Sequence, residues 1–587
     1  MDFYGFYTGQ NFDDYTWLGA HLDGNKCTFR TFAPSANNVQ LLINGNIYQM
    51  NQIYNGNFYE ITIDGVKDGD CYEYRIFSGN GNYVDHCDPY GYGMELRPNH
   101  KSIVRNISSY TFNDSKWMNK RNNMMDAPLN IYEIHAGSWK KPGKANDDWF
   151  TYDELATELI PYLKEYGYNY IEFLPLCEYP SDESWGYQCT GYFSPTSRYG
   201  TAKQLQMAID MFHQNGIGVI LDFVPAHFAI DDYALKNYDG TCLYEYPHND
   251  VGVSEWGSCN FMHSRGEIRS FLQTSVNYWL QEFHFDGIRF DAVSRLLYWQ
   301  GDERRGVNGN TVEFLKFMNK GLKERNKGIM LIAEDSTNFP NVTKSVEEGG
   351  LGFDYKWDLG WMHDTLDYFA SPAGDRYDKY HKLTFSMMYF YNEKYLLPLS
   401  HDEVVHGKAT IIQKMNGDYD IKFPQARALY MYMMMHPGKK LNFMGNEFAQ
   451  FREWDEKRSQ DWLLMEYPLH DAFHNYMAKL NSIYLKNDAF WKNDFSNDGF
   501  SWIDCHQEDK CIYVINRHGN KGDIKAIFNF SDKAQSYSLP YSEDVKILLN
   551  SDWKKYGGNT PDVGKTLKTT NGNINFELAP FSGIIFK

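Results

Sequence analysis

Between residues 130 and 448, short apolar segments alternate with longer stretches of helical periodicity. That alternation constrains the chain more than any other feature. The strand candidates are NIYEIHAG (130–137), YNYIEFLPL (168–176), GVILDFVP (218–225), DGIRFDAV (286–293), IMLIAED (329–335), GFDYKWDLGW (352–361), YLLPLSHDE (395–403) and KLNFMGNEF (440–448). Between them lie stretches such as TYDELATELIPYLKEYG and EIRSFLQTSVNYWLQEF, with apolar residues at helical spacing. Strands interleaved with helices in this way predict a closed parallel (β/α)8 TIM barrel. A doubly wound open sheet is the alternative, but no Gly-rich dinucleotide loop follows any of these strands.

The flanks have a different texture. KCTFRTFAP, NVQLLING and DCYEYRIFSG alternate apolar and polar residues, with Asn-Gly or Gly-Asn pairs between them, as in a β-sandwich. CIYVINRHG, DIKAIFNFS, DVKILLN and FSGIIFK do the same near the end. The expected division is an N-terminal β-sandwich over 1–112, a barrel over 113–485 and a C-terminal β-sandwich over 486–587.

Charge narrows the partners. The formal net charge is -19, which repels phosphate backbones and anionic lipid heads, so neither nucleic acid nor membrane is an expected partner. A neutral sugar meets no such barrier, and aromatic residues, 17% of the chain, suit the apolar faces of sugar rings as well as core packing. The start, MDFYGFYTGQNFDDY, has no basic region followed by an apolar run. The longest apolar run, Ala428 to Met435, falls far short of the ~18 residues that span a bilayer. A cytoplasmic, monomeric protein with reduced thiols is expected.

In a barrel of this class, function sits at the C-terminal ends of the strands. Apolar strand residues there give way to acids, His or Arg. Asp222 and His227 follow GVIL, Arg289 and Asp291 lie in IRFDAV, Glu334 and Asp335 follow IMLIA, and His401, Asp402 and Glu403 follow LLPLS. Arg289 and Asp291 are two apart, so they share a strand face, and the guanidinium holds the carboxylate ionised. Paired carboxylates are the chemistry of glycoside cleavage, and in retaining enzymes they stand about 5–5.5 Å apart. Asp291 and Glu334, on adjacent strand ends, are the expected pair.

LDFVPAHF (221–228), GIRFDAV (287–293), IAEDS (332–336) and LSHDE (399–403) occur in that order, and the chain thereby resembles the α-amylase family, glycoside hydrolase family 13. The resemblance implies Asp291 as nucleophile, Glu334 as general acid/base and Asp402 as the third acid. It implies that His227 and His401 bind the sugar at the cleavage point, that Arg289 orients the nucleophile and that Asp222 is largely architectural. Longer strings resemble the glycogen branching enzymes within that family: SWGYQCTGYFSPTSRYGT (184–201), LGFDYKWDLGWMHDTLDYF (351–369), LPLSHDEVVHGK (397–408), HPGKKLNFMGNEFAQFREWD (436–455) and LMEYPLHDA (464–472). DPYGYGMELRP (88–98) and LNSDWKKYGG (549–558) extend the likeness into both flanks, the first into a carbohydrate-binding module. Tyr187 then matches an aromatic that stacks on the sugar, and Trp185 and Trp454 are expected to line its subsites. The implied reaction is transfer of an α-1,4-linked glucan to a 6-hydroxyl, with no metal or organic cofactor; hydrolysis on the same scaffold is the alternative. Ala226, Asn446 and Asp455 depart from the usual residues, and Tyr298 to Val312 is short, which bears on rim contacts.

Other features take plainer readings. The Met-rich run YMYMMMHPG (430–438) reads as a buried barrel helix ending at Pro437 and Gly438. His284 reads as a core or supporting residue. Cys177 and Cys189 have no His cluster beside them, so no zinc site is expected.

Overall fold

The computed structural model describes residues 1–562 and 566–587. Its centre is a closed barrel of β1 (Asn130–Ile134), β2 (Tyr170–Phe173), β3 (Gly218–Phe223), β4 (Gly287–Phe290), β5 (Met330–Ala333), β6 (Tyr355–Trp357), β7 (Tyr395–Leu399) and β8 (Lys439–Phe443). Neighbours pair in parallel in chain order, and β8 returns to β1 through Ile131 opposite Leu441. All eight expected segments supply a strand. Each strand is shorter than its segment because the polar residues at its end turn away into the rim.

Strand alternation organises the interior. Ile131, Tyr170, Ile220, Ile332, Trp357 and Leu441 belong to an apolar core that fills the lower barrel. Two residues beyond Ile131, Tyr170 and Ile220, on the same strand faces, stand Glu133, Glu172 and Asp222, each fully buried. The interior therefore grades from hydrocarbon to charge toward the C-terminal ends.

Helices α1 (Tyr152–Tyr166), α2 (Ala202–Gln214), α3 (Gly266–Glu282), α4 (Gly309–Arg325), α5 (Leu359–Ala370), α6 (Tyr419–Met435) and α7 (Pro468–Lys486) wrap the barrel. A capping box of Thr151 and Glu154 starts α1, and Gly167 at φ 74° ends it. The Met-rich run lies in α6, buried on all sides, because α6 lies between the barrel and the C-terminal domain, where Arg427 Nε donates to the Ser551 carbonyl at 2.6 Å. One crossover differs: residues 334–354, between β5 and β6, contain no helix, and every one of them is described.

At the N-terminal end of the barrel, His213 on α2 lies between Asp114 (2.8 Å) and Asp286 (2.9 Å). Trp117 Nε1 and the Val219 amide donate to Asp286, each at 2.8 Å, and His284 contacts Asp114 at 2.8 Å, a supporting place as expected. The flanking domains are all-β. The N-terminal one has a four-stranded sheet and a five-stranded sheet; the C-terminal one has a six-stranded and a two-stranded sheet. Helix Phe3–Thr8, within the stretch assigned to the sandwich, opens a segment that lies along α3, where Gln273 Nε2 donates to the carbonyls of Gly9 (3.0 Å) and Asn11 (2.6 Å). Arg517 of the C-terminal domain pairs with Asp494 at 2.7 Å, and Asp494 with Lys439 of β8 at 3.1 Å, all buried.

Candidate active site

A cleft of about 540 Å³ opens at the C-terminal ends of the strands, and Asp291, Glu334 and Asp402 all line it. Asp291 leaves the end of β4 and Glu334 the end of β5, which are paired neighbours. Asp402 rides on the turn His401–Val404 that follows β7.

One guanidinium organises the two carboxylates. Arg289 Nη1 donates to Asp291 Oδ1 at 2.9 Å and to both oxygens of Asp222 at 2.8 and 2.7 Å. Its Nη2 stands 3.9 Å from Glu334 Oε2. The guanidinium also lies 4.4 Å above the Trp357 ring, so the inner barrel wall fixes its plane. Ala292 takes φ 51°, a left-handed conformation, and its amide donates to Glu334 Oε2 at 2.8 Å. The residue beside Asp291 thus orients Glu334.

Burial raises both Asp291 and Glu334 above ordinary carboxylate values, and Arg289 opposes the rise in each. Asp291 rises to about 6 and Glu334 to about 7, so Glu334 stays the more readily protonated. Asp402 moves the other way: burial would raise it, but His401, Arg289 and Lys408 outweigh that and hold it low. One side thus carries a group that holds a proton and the other a group that sheds it.

His401 links the cleft to the strand interior. Its Nδ1 faces Glu133 Oε1 at 2.6 Å, and its amide donates to Glu133 Oε2 at 2.9 Å. Burial would lower its pKa, but Glu133 and Asp402 raise it to about 9, so it is an imidazolium at neutral pH. Its ring lies 5.6 Å from that of Tyr187, whose hydroxyl donates to Asp222 at 2.5 Å. The loop carrying Trp185 and Tyr187 turns at Gly186, φ 95°, where a Cβ would stand 2.6 Å from the Pro175 carbonyl. His227 meets Ser258 Oγ at 2.9 Å, and burial lowers its pKa to about 4, so it faces the cleft neutral.

Not every expected contact residue reaches the cleft. Trp454 is 6% exposed and packs behind Trp185, rings 4.7 Å apart, with Nε1 donating to Ser138 Oγ at 2.8 Å. Its loop folds beneath the rim, so it backs Trp185 rather than lining the cleft. Asp222 and Arg289 lie under the cleft floor. Trp256, 5.0 Å from the His227 ring, lines the mouth instead. Glu133 and Glu172 went unselected in the sequence, although each is a lone acid on the inward face of an apolar strand. Glu172 keeps both oxygens unpartnered, and burial beside Glu133 and Asp222 pushes it well above the ordinary carboxylate range. Among the described residues, no group of three or more His, Cys, Asp or Glu is placed to hold a metal.

Comparison with known proteins gives this geometry a lineage. The alpha-1,4-glucan branching enzyme GlgB N-terminal domain matches residues 2–90, the alpha amylase catalytic domain matches 154–239, and the alpha amylase C-terminal all-beta domain matches 502–587. Among solved structures, a pullulanase from Anoxybacillus sp. LM18-11 complexed with maltotetraose has a TM-score of 0.74 at 18% identity, covering 97% of this chain and 87% of its own. A putative alpha amylase from Salmonella typhimurium has a TM-score of 0.72 at 18% identity, covering 97% and 99%. These likenesses define the fold as that of the α-amylase class. Closer relatives narrow it. The 1,4-alpha-glucan branching enzyme GlgB of Halothermothrix orenii is 43% identical over 100% of this chain and 98% of that protein. That of Fusobacterium nucleatum is 41% identical over 98% and 95%. The chain belongs to the GlgB family of 1,4-alpha-glucan branching enzymes. Among the described residues, no helix is long and apolar enough to cross a membrane.

Proposed function

We propose that this chain cuts an α-1,4-glucan and transfers the freed segment to a 6-hydroxyl, forming an α-1,6 branch, with Asp291 as nucleophile and Glu334 as acid/base. Asp291 attacks C1 of the donor glucose. Glu334 gives its proton to the leaving 4-oxygen as the C1–O4 bond breaks. In the second step Glu334 takes the proton of the acceptor 6-hydroxyl, that oxygen attacks C1, and the C1–Asp291 ester bond breaks with its electron pair returning to the carboxylate. Two inversions retain the configuration. The observation that carries this reading is the 43% identity, over the whole chain, to a 1,4-alpha-glucan branching enzyme, and the unequal hold of Arg289, 2.9 Å to Asp291 against 3.9 Å to Glu334, supports the division of roles within the pair.

Asp402 binds sugar hydroxyls in this proposal and stabilises positive charge at C1. His401 and neutral His227 hydrogen-bond the sugar at the cleavage point, while Tyr187 and Trp185 offer aromatic faces, Trp185 braced by Trp454. No step calls for a metal or organic cofactor. The proposal takes the enzyme to act as a cytoplasmic monomer on glycogen or amylose-like chains, without nucleic-acid or membrane partners, in keeping with a net charge of -19. Incubation with amylose tests it. Iodine colour should fall with almost no new reducing ends, and a debranching enzyme should then release new chains. Reducing ends rising one for one with cleavage would assign hydrolysis instead.

A further inference from the structure

His406 lines the catalytic cleft together with Asp402 and Trp185, and it takes no part in the steps that cleave and transfer. It follows the turn His401–Val404 at the end of β7 and is exposed. Its ring stacks on that of Trp185, with centroids 5.2 Å apart and planes 25° from parallel. His406 is thus the outer member of a row whose inner members are Trp185 and the buried Trp454. Trp185 is itself fixed through Nε1, which donates to Glu456 at 3.2 Å.

The backbone under His406 is unusual. His406 takes φ 57°, Gly407 φ 78° and Ala409 φ 65°, so three of these four consecutive residues are left-handed and two of the three carry a Cβ. That conformation costs free energy in a residue with a Cβ, and glycine escapes the cost. One carboxylate holds the loop in place: Glu453 accepts from the Gly407 amide at 3.0 Å and from the Ala409 amide at 2.7 Å. Beside it, the Trp454 amide donates to the Val404 carbonyl at 3.0 Å. The segment that backs Trp185 therefore also anchors the loop that presents His406. The imidazole so presented is uncommitted. His401 spends Nδ1 on Glu133 and His227 spends Nδ1 on Ser258, whereas neither ring nitrogen of His406 hydrogen-bonds another described residue. Strained backbone held in place by its surroundings concentrates at ligand contacts.

We infer that His406 is a substrate-binding residue, which hydrogen-bonds hydroxyls of the donor glucan at the edge of the Trp185 ring. The inference rests on reading the cleft as an α-glucan site and adds a contact to that site. A neutral imidazole carries one N–H donor and one acceptor nitrogen, and neighbouring sugar hydroxyls can meet both. Its flat face continues the aromatic surface that Trp185 offers to a sugar ring. The contact is made to glucose units flanking the bond that breaks, so it holds ground state and transition state alike and should act on binding rather than on turnover.

The test compares the full-length enzyme with His406→Gly and His406→Asn. Maltoheptaose affinity is measured by calorimetry in an Asp291→Asn background, where the glucan binds without turnover. KM and kcat on amylose are measured with Asp291 in place. His406→Gly should melt near the wild-type temperature or above it, because release of the left-handed strain offsets the looser unfolded chain. Its affinity should nonetheless fall about fivefold, with KM rising by a similar factor and kcat staying within about twofold. Asparagine tolerates the left-handed conformation and keeps a donor and an acceptor, so His406→Asn should recover part of the affinity. Affinity equal to wild type in His406→Gly overturns the inference. So does a loss of affinity in both variants that follows a lowered melting temperature, with no recovery by asparagine. Affinity measured without turnover does not depend on whether the glucan passes to a hydroxyl or to water. Reducing ends released one for one on amylose would therefore sink the transfer reading and leave this contact standing.

Discussion

The two ends of the barrel both gather acids and treat them in opposite ways. At the N-terminal end, Asp114 and Asp286 close on His213 from both sides and take further hydrogen bonds from Trp117 and a backbone amide. Burial alone would lower the His213 pKa, but the two carboxylates raise it to about 9. At the C-terminal end, Asp222, Asp291, Glu334 and Asp402 share Arg289 and His401, and burial leaves Asp291 and Glu334 raised. At one end both acids close directly on His213; at the other, one guanidinium is spread over Asp222, Asp291 and, at 3.9 Å, Glu334. That spread is what the proposed chemistry uses, because a carboxyl group without a close cation of its own can pass a proton.

Substitutions at the two ends should therefore separate activity from stability. Asp291→Asn is expected to cut turnover roughly 10⁴-fold or more. Its melting temperature should match or exceed that of wild type, since a charge that burial disfavours is gone. His213→Ala should do the reverse. Removing one partner of a buried ion network costs about 3–5 kcal/mol, visible in denaturant unfolding, while turnover per folded molecule stays near wild type. Comparable loss of activity from both changes would erase the distinction between the ends.

Glu133 and Glu172 sharpen it further, since they are register partners on β1 and β2 yet differ in role. Glu133→Gln takes away the strongest influence raising His401, so turnover should fall on the order of tenfold to a hundredfold, and His401 should titrate at lower pH by NMR. Glu172→Gln replaces a carboxyl group whose oxygens have no partner, and which burial pushes well above the ordinary range, with a neutral isostere and should leave turnover and stability unchanged.

pH dependence gives the smallest and broadest effects. The proposed roles need Asp291 ionised and Glu334 protonated, so turnover should fall as pH drops through the first and as it rises through the second, with the alkaline limb above the ordinary Glu range. Stability follows a different rule. The folded pKa of His213, about 9, exceeds its unfolded value, so its contribution is complete below the unfolded value and is lost as pH rises through about 9. Unfolding measured from neutral to alkaline pH should show a drop in wild type that His213→Ala lacks.

The contrast was only half visible beforehand. All eight strands announced themselves, because each is a run of apolar residues ended by a polar one. Asp291, Glu334 and Asp402 stood out because a charge just past such a run has nowhere to be but the rim. Glu133 and Glu172 obey the same alternation one step lower, but an acid inside a strand reads locally as an interruption until the barrel closes. The burial of Trp454 depends on how its loop folds behind Trp185, which is not a local property of the chain.

The central claim is covalent chemistry at Asp291, and trapping tests it most directly. Glu334→Gln slows the step that releases the glucan while Asp291 can still attack an activated donor such as a maltooligosyl fluoride. Mass spectrometry of the peptic digest should find the peptide containing Asp291 carrying the glucosyl chain, and no adduct in Asp291→Asn. An adduct on a different carboxylate, or turnover of the fluoride with inverted configuration and no adduct, would contradict the account.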